Sequence, residues 1–319
     1  MTLLVILDPM APERLDRLRP FLPDGWTVAT AASRAESDQL KALEGASFAI
    51  SADVPVTARM MATPGLRAIH KWGVGYDNID CDAARAEGVR VMRTTGSNAV
   101  TVAETALGMI LAMNRNIVRG HVGILEGKWL KGELSATSSR LSGKTVGIVG
   151  LGYIGKTLAR LLSGFGCTVL YTKRTPLSRE EEAELGVHAA TLDELLSRSD
   201  VVSLHCALNE ETQNLIDREA LARMKPGSLL VNLARGGVVV EADLAEAVAS
   251  GHIRGAAVDV FAIEPIEPGN PLLGLDRVLL TPHIGAISAD GFAPSVKRMM
   301  ANMLAVAEGR EPPEMDIVV

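Results

Sequence analysis

Residues 146–162, VGIVGLGYIGKTLARLL, restrict the possible fold more than any other stretch of the chain. An apolar run ends in Gly150, and Gly150, Gly152 and Gly155 form G-x-G-x-x-G ahead of a segment with helical spacing. In such a turn the first glycine permits a tight bend. The second lets backbone approach a pyrophosphate, and the third lets helix and strand pack closely. The helix that follows offers amides without intrahelical partners, and the positive end of its dipole, to an anion. Strand, turn and helix in this order predict a dinucleotide-binding βαβ unit reaching Tyr171, with Gly150, Gly152, Tyr153, Ile154 and Gly155 against the phosphates. A glycine-rich turn with no ligand is the plainer alternative.

Short apolar runs recur on both sides of this unit. One series lies at 3–7, 27–29, 48–50, 68–70 and 89–92; a second lies at 145–149, 168–171, 201–205, 228–233, 256–260 and 278–280. They are rich in Val, Ile and Leu without strict alternation, as parallel strands buried on both faces require. Helical spacing separates them, for example Leu192, Leu195 and Leu196 in TLDELLSRSD. The pattern predicts an α/β fold with parallel sheets and right-handed crossovers. At 319 residues the chain exceeds what one hydrophobic core usually serves, so two domains are expected. TVAE, 101–104, reads as a capping box opening a long helix near Thr101 that runs through Met113. A second long helix is expected over 289–308, with Pro294 in its first turn. The last residues, REPPEMDIVV, read as a tail returning to the surface.

Composition narrows the function classes. A net charge of −6 without a clustered basic face speaks against nucleic-acid binding. The first residues, MTLLVILDPM, have no basic leader and their apolar run stops at Asp8-Pro9; no stretch approaches a membrane span. Cys81, Cys167 and Cys206 are scattered, with no CxxC pair, and no histidine pair has metal-ligand spacing. A soluble cytoplasmic protein with reduced thiols and no metal centre is the expectation.

Past the loop, the position 18 beyond Gly155 is Lys173, followed by Arg174 and Thr175. A carboxylate is usual near there, where it bonds the ribose 2′-hydroxyl of NAD. Two cations and a hydroxyl would instead attract a 2′-phosphate. This predicts NADP(H) as the preferred cofactor with NAD(H) possible; the bland reading is loop cations balanced by Glu180, Glu181 and Glu182.

Three further stretches place charged groups just past strands: Arg235 in NLARGG, Glu264 in VDVFAIEP and His283 in LLTPHIG. Ligands of open parallel sheets bind at the carboxyl ends of strands, the edge the glycine loop shares. Taken singly, each has a bland reading as a surface cation, a loop acid or a core histidine. His70, His121, His188, His205 and His252 have no such partners in sequence and are read as structural.

With KWGVGYDNID (71–80) and GAAVDVFAIEP (255–265) added, the chain resembles the D-isomer-specific 2-hydroxyacid dehydrogenase family over nearly its whole length. The resemblance implies two Rossmann-like domains, each a parallel sheet flanked by helices, with a cleft between them. It implies a discontinuous substrate domain (1–99 and 288–319), a dinucleotide-binding domain (100–287) and a homodimer. It also implies catalysis by Arg235, Glu264 and His283 on a small 2-keto or 2-hydroxy acid, with the amides of Val74 and Gly75 holding the substrate carboxylate. By resemblance, Asp259 bonds the nicotinamide amide, and Cys206, Thr212, Ala234 and Gly285 line the cofactor. Trp129 has two readings: closing the cleft of a partner subunit, or an ordinary buried aromatic.

Chemically, His283 would supply the proton to the keto oxygen, Glu264 would fix its tautomer, and Arg235 would grip the carboxylate. Formate-oxidising members resemble a Gln-for-Glu pattern, which Glu264 does not follow. The sequence ends at Val319, short of the regulatory domain that many phosphoglycerate dehydrogenases add. Glyoxylate or hydroxypyruvate reduction is the expected activity. A dinucleotide-sensing corepressor of the same fold, and an NAD-dependent dehydrogenase for a bulkier acid, remain as alternatives.

Overall fold

The computed structural model describes residues 2–319. The chain divides into two compact units, residues 1–98 with 288–319, and residues 99–287. In the first unit the strands are β1 (Thr2–Ile6), β2 (Trp26–Thr30), β3 (Phe48–Ser51), β4 (Ala68–Lys71) and β5 (Arg90–Met92). They form a parallel sheet ordered β2-β1-β3-β4-β5. The second unit carries β6 (Thr145–Val149), β7 (Thr168–Thr172), β8 (Val187–Ala189), β9 (Val201–Leu204), β10 (Leu229–Asn232), β11 (Gly255–Val258) and β12 (Val278–Leu280). All pair in parallel, in the order β12-β11-β10-β9-β6-β7-β8.

The apolar runs became strands because both faces of each sheet are covered. In the second unit Val146 and Ile148 join one apolar layer with Leu158, Leu162 and Ile110. Val149 joins the opposite layer with Leu195, Leu196 and Val202. Each fully buried side chain of this kind contributes roughly 1.5–3 kcal/mol. The edge strand β8 escaped the sequence reading. It has three residues, of which only Val187 is buried, so it lacks the apolar run that marks its neighbours.

Three sequence expectations need correction. The first long helix spans Ala99–Asn114, so Thr101 lies inside it and TVAE does not cap it. Its buried face begins at Ala99 and continues through Val102, Ala103 and Ala106, and burial of that face fixes the start. Capping boxes do form elsewhere, at Ser178 with Glu181 and at Thr191 with Glu194. The last helix spans Phe292–Ala307 and does hold Pro294 in its first turn. The final residues are not a surface tail. Ile317 bridges Met92 antiparallel, and the amide of Val318 donates to Val91 O at 2.8 Å. This covers the free edge of β5, whose backbone would otherwise lack partners. Asp316, fully buried, accepts from Arg298 Nε at 2.7 Å and Nη2 at 2.6 Å. Trp129 is likewise not a buried aromatic; it is 80% exposed.

Among the described residues no helix is long and apolar enough to cross a membrane, and no three metal-binding side chains converge.

Candidate active site

The strands of the second sheet end level with one another. Val149 pairs with Thr172 and with Leu204, Leu204 with Asn232, Asn232 with Val258, and Val258 with Leu280. The chain therefore leaves each strand at one rim. Read along the sheet order, that rim carries His283 after β12, Asp259 and Glu264 after β11, and Arg235 after β10. Cys206 follows β9, Gly150 follows β6 and Lys173 follows β7. The order reverses between β9 and β6, the crevice where such sheets bind dinucleotides.

The glycine loop fits a pyrophosphate. Gly150 has φ +95°, and a Cβ there would lie 2.6 Å from the amide nitrogen of Cys206. Only glycine meets both demands. A Cβ at Gly152 would meet nothing within 4 Å, so the space above it is open. The helix Tyr153–Ser163 begins directly after it, and the amides of Gly152, Tyr153 and Ile154 have no acceptor among the described residues. Burial pushes the Cys206 thiol up to about 11, which makes it a packing group and not a nucleophile. Thr212 donates to Ala207 O at 2.6 Å and so closes its own loop.

At the next rim position Lys173 is half-buried, while Arg174 and Thr175 are exposed. Of the glutamates nearby, Glu181 acts electrostatically on Lys173 while also bonding elsewhere. Glu181 pairs with Lys156 at 3.4 Å, and Glu182 accepts from Tyr171 Oη at 2.7 Å. Arg174, 84% exposed, lies 4.0 Å from Glu211, a distance and exposure that leave little binding energy in the pair.

On the other half of the rim, His283 Nδ1 lies 2.7 Å from Glu264 Oε2. The other Glu264 oxygen accepts from the Phe261 amide at 2.9 Å. The hydrogen bond to Glu264 raises the His283 pKa above its ordinary value, against an opposing push from burial. Burial works to raise the Glu264 pKa, but the bonds from His283 and the Phe261 amide outweigh it and hold the carboxyl low. With Nδ1 engaged, Nε2 is the ring nitrogen left to exchange a proton.

His283 stands at φ +53°, a left-handed conformation that non-glycine residues rarely adopt. Its amide donates to Asp259 O at 2.8 Å. The Asp259 carboxylate, 1% exposed, accepts from Thr281 Oγ1 at 2.5 Å, from the Ile284 amide at 2.9 Å and from the Gly285 amide at 2.8 Å. Strain persists where surrounding bonds over-determine it, and Asp259 supplies them here. The resemblance implies a bond from Asp259 to the nicotinamide amide; within the protein its three accepted bonds go to the His283 turn, with one acceptor position on Oδ2 remaining.

Arg235 is positioned from below by residues the sequence reading missed. Asn232, buried at the end of β10, accepts from the Ala234 amide and donates to Arg235 O, each at 3.0 Å. A polar residue closing the apolar run LLVN was the available signal. The Arg235 guanidinium donates to Ala234 O at 2.9 Å and acts electrostatically on both Glu264 and His283. A Cβ on Gly236 would lie 1.9 Å from the Phe261 carbonyl carbon, so the Arg235 loop and the Glu264 loop touch backbone to backbone. Glu241 ties down the same loop, accepting from the Ala262 amide at 2.8 Å and from Asn270 Nδ2 at 2.7 Å.

In the first unit, Val74 and Gly75 follow β4. The amides of Gly73, Val74, Gly75 and Tyr76 have no hydrogen-bond acceptor among the described residues. Successive free amides can form an anion-binding concavity where the backbone turns them to one side. His70 and His205 are both lowered to about 4, in each case first by burial, and stay neutral. His252 bonds Leu221 O at 3.0 Å.

Residues 107–285, more than half of the chain, match the model of the family described as D-isomer specific 2-hydroxyacid dehydrogenase, NAD binding domain. The chain belongs to this 2-hydroxyacid dehydrogenase family. It is 39% identical to the D-3-phosphoglycerate dehydrogenase of Mycobacterium bovis over 90% of this chain and 53% of that protein. It thus spans about half the length of that relative. It is 42% identical to the hydroxypyruvate reductase of Thermotoga maritima over 74% of this chain and 76% of that protein. Among solved structures, the NAD-dependent formate dehydrogenase of Staphylococcus aureus in complex with NAD matches with a TM-score of 0.90. That match has 30% identity and covers 100% of this chain and 99% of the other. The 2-hydroxyacid dehydrogenase fold is therefore shared among relatives named for different substrates.

Proposed function

We propose that this chain reduces a small 2-keto acid, glyoxylate or hydroxypyruvate foremost, to the D-2-hydroxy acid with NADPH as the preferred cofactor. The observation that carries the reading is the His283–Glu264 contact at 2.7 Å, on the rim the glycine loop shares. Reduced cofactor supplies the hydride for the keto carbon. His283, whose protonated form Glu264 favours, gives the proton at Nε2 to the keto oxygen. Arg235 binds the carboxylate and polarises the carbonyl, and the amides of Val74 and Gly75 complete the carboxylate site. Keto acid, hydride and proton sum to the hydroxy acid. Gly150, Gly152, Tyr153, Ile154 and Gly155 would hold the pyrophosphate, with Cys206, Thr212, Ala234 and Gly285 beside them.

Formate oxidation fits less well. It loses hydride from carbon and gives CO₂ without protonating an oxygen, so it has no use for a Glu-supported imidazolium. The hydroxypyruvate reductase relative also favours the keto-acid reading. A panel of glyoxylate, hydroxypyruvate, pyruvate and bulkier 2-keto acids, each with NADPH and NADH, tests it. Turnover of none of them at metabolic rates would leave the corepressor-like alternative standing.

The cofactor preference rests on Lys173, Arg174 and Thr175 in place of a carboxylate. Neutralising both cations, K173Q with R174Q, should weaken NADPH binding by at least about tenfold and leave NADH binding within about twofold. Equal losses for both would remove the preference.

A homodimer is proposed as well, in the cytoplasm. Its support is an apolar strip on and after the helix Ile117–Leu125, where Leu125 is 73% exposed and Ile117, Ile124 and Trp129 are also exposed. Sedimentation of the protein across a range of concentrations tests it.

A further inference from the structure

We infer that Arg93 is a positioning residue for the substrate carboxylate, acting by fixing the direction of the Gly75 amide. The inference rests on the proposed reading that this amide holds the carboxylate. The backbone of residues 73–75 makes one hydrogen bond among the described residues: Val74 O accepts from Arg93 Nη1 at 3.0 Å. The peptide joining Val74 to Gly75 is trans, so its N–H points opposite to its C=O. A guanidinium that holds the carbonyl on one side of the loop therefore aims the Gly75 amide out of the other side. Without it, Gly75, which follows that peptide and has no Cβ to restrict its φ, leaves the peptide plane free to turn.

Arg93 is itself firmly held, as an anchor must be. Its amide donates to Asp316 O at 2.9 Å, and its carbonyl accepts from Asn302 Nδ2 at 3.5 Å. Two residues on, the Thr95 amide donates to Asp316 Oδ1 at 2.8 Å, and Thr95 O accepts from Arg298 Nη1 at 3.1 Å. The guanidinium stacks over the Tyr76 ring, 5.0 Å from its centroid, and so braces the loop at a second point. Its Nε is buried without a hydrogen-bond partner. An arginine kept there at the cost of an unmatched donor points to a task at the loop and away from general stability. The docked final residues thus reach the substrate loop through one side chain.

The test is steady-state kinetics of the full chain carrying R93M or R93K, beside wild type, with glyoxylate and NADPH, and binding of oxamate as an inert keto-acid analogue. R93M is expected to raise KM for glyoxylate and weaken oxamate about tenfold, the loss of one well-placed charge-assisted hydrogen bond. The kcat value should change by less than about threefold, and NADPH affinity and Tm should hold, because the loop carries no proton-transfer group. R93K, which keeps a donor of similar reach, should recover most of the affinity. The R93M-to-wild-type KM ratio should stay constant from about 0.05 M to about 0.5 M salt. A ratio that collapses with salt would assign Arg93 to direct attraction of the substrate charge and overturn the positioning role. So would an R93M enzyme with unchanged KM, or one in which kcat, NADPH affinity and Tm fall together. If R93M does not fold, R93Q takes its place with the same reading: a raised KM and weaker oxamate with kcat and NADPH affinity kept support the positioning role, and unchanged KM overturns it. A wild type that turns over none of the keto acids defeats the underlying function instead, and is a separate result.

Discussion

The 281–285 turn and the 73–76 loop both leave the end of a parallel strand, and both are proposed to meet the same substrate, yet they are built in opposite ways. In the turn, Thr281, His283, Ile284 and Gly285 all bond to Asp259, and His283 is further held by Glu264. In the loop, four successive amides have no acceptor among the described residues, and one side chain holds one carbonyl. The contrast follows from what each offers. A group that hands over a proton must be aimed within a narrow range, so its surroundings are saturated with bonds. A group that binds with its own backbone amides must leave those amides free, so the loop can be held only through its carbonyls.

The largest effect is expected at the aimed group. His283→Gln removes the proton donor and keeps a hydrogen-bonding side chain of similar volume. Turnover of the keto acid should fall by about 10²–10⁴-fold, the usual weight of general acid catalysis, with NADPH affinity unchanged. Stopped-flow single turnovers would show it; a variant with more than about a tenth of wild-type turnover would remove His283 from the chemistry.

Next comes the support of the turn. Asp259→Asn leaves one acceptor oxygen where two are used. Whichever way the amide faces, its NH₂ confronts the Thr281 side or the Gly285 amide. A buried donor left unmatched costs about 1–3 kcal/mol, to be read as a shift of the urea midpoint. The left-handed His283 should relax at the same time, so kcat should fall along with stability. Loss of activity at full stability would indicate that Asp259 works on the cofactor alone, which breaks the proposed contrast between turn and loop.

How much of this was legible in sequence differs between the same two regions. The strands read clearly, because burial on both faces leaves uninterrupted Val, Ile and Leu runs. The rim residues Arg235, Glu264 and His283 were visible because each follows such a run. What spacing could not show were bonds made across the fold: Asn232 beneath Arg235, Glu241 beneath the Glu264 loop, and Arg93 beneath Val74, 19 residues away. The misreadings share a cause. TVAE has the residues of a cap but lies inside a helix whose buried face starts earlier, and the polar tail REPPEMDIVV hides an Asp316 that is fully buried against Arg298. In each case local composition was overruled by a tertiary partner that the sequence places far off.

The smallest effect expected is on stability, from the His283–Glu264 pair itself. The side chains are 39% and 34% exposed, so solvent screens them and the pair should contribute about 1 kcal/mol or less. Its pH window follows from the directions of the two shifts. His283 is raised, so its part is complete below the unfolded value near ~6.5 and is lost as pH rises through the higher folded value. Glu264 is lowered, so its part is present above the unfolded value near ~4.3 and is lost as pH falls through the lower folded value. Glu264→Gln should therefore lower the midpoint slightly between about pH 4.3 and about pH 6.5, and match wild type at higher pH, where the wild-type imidazole has also lost its proton. Its consequence for turnover is larger than for stability. Without the carboxylate the imidazolium is no longer favoured, so the alkaline limb of keto-acid reduction should move to lower pH. A limb that stays in place in the variant would mean that some other group holds the proton on His283, and the turn would then be aiming the imidazole without tuning it.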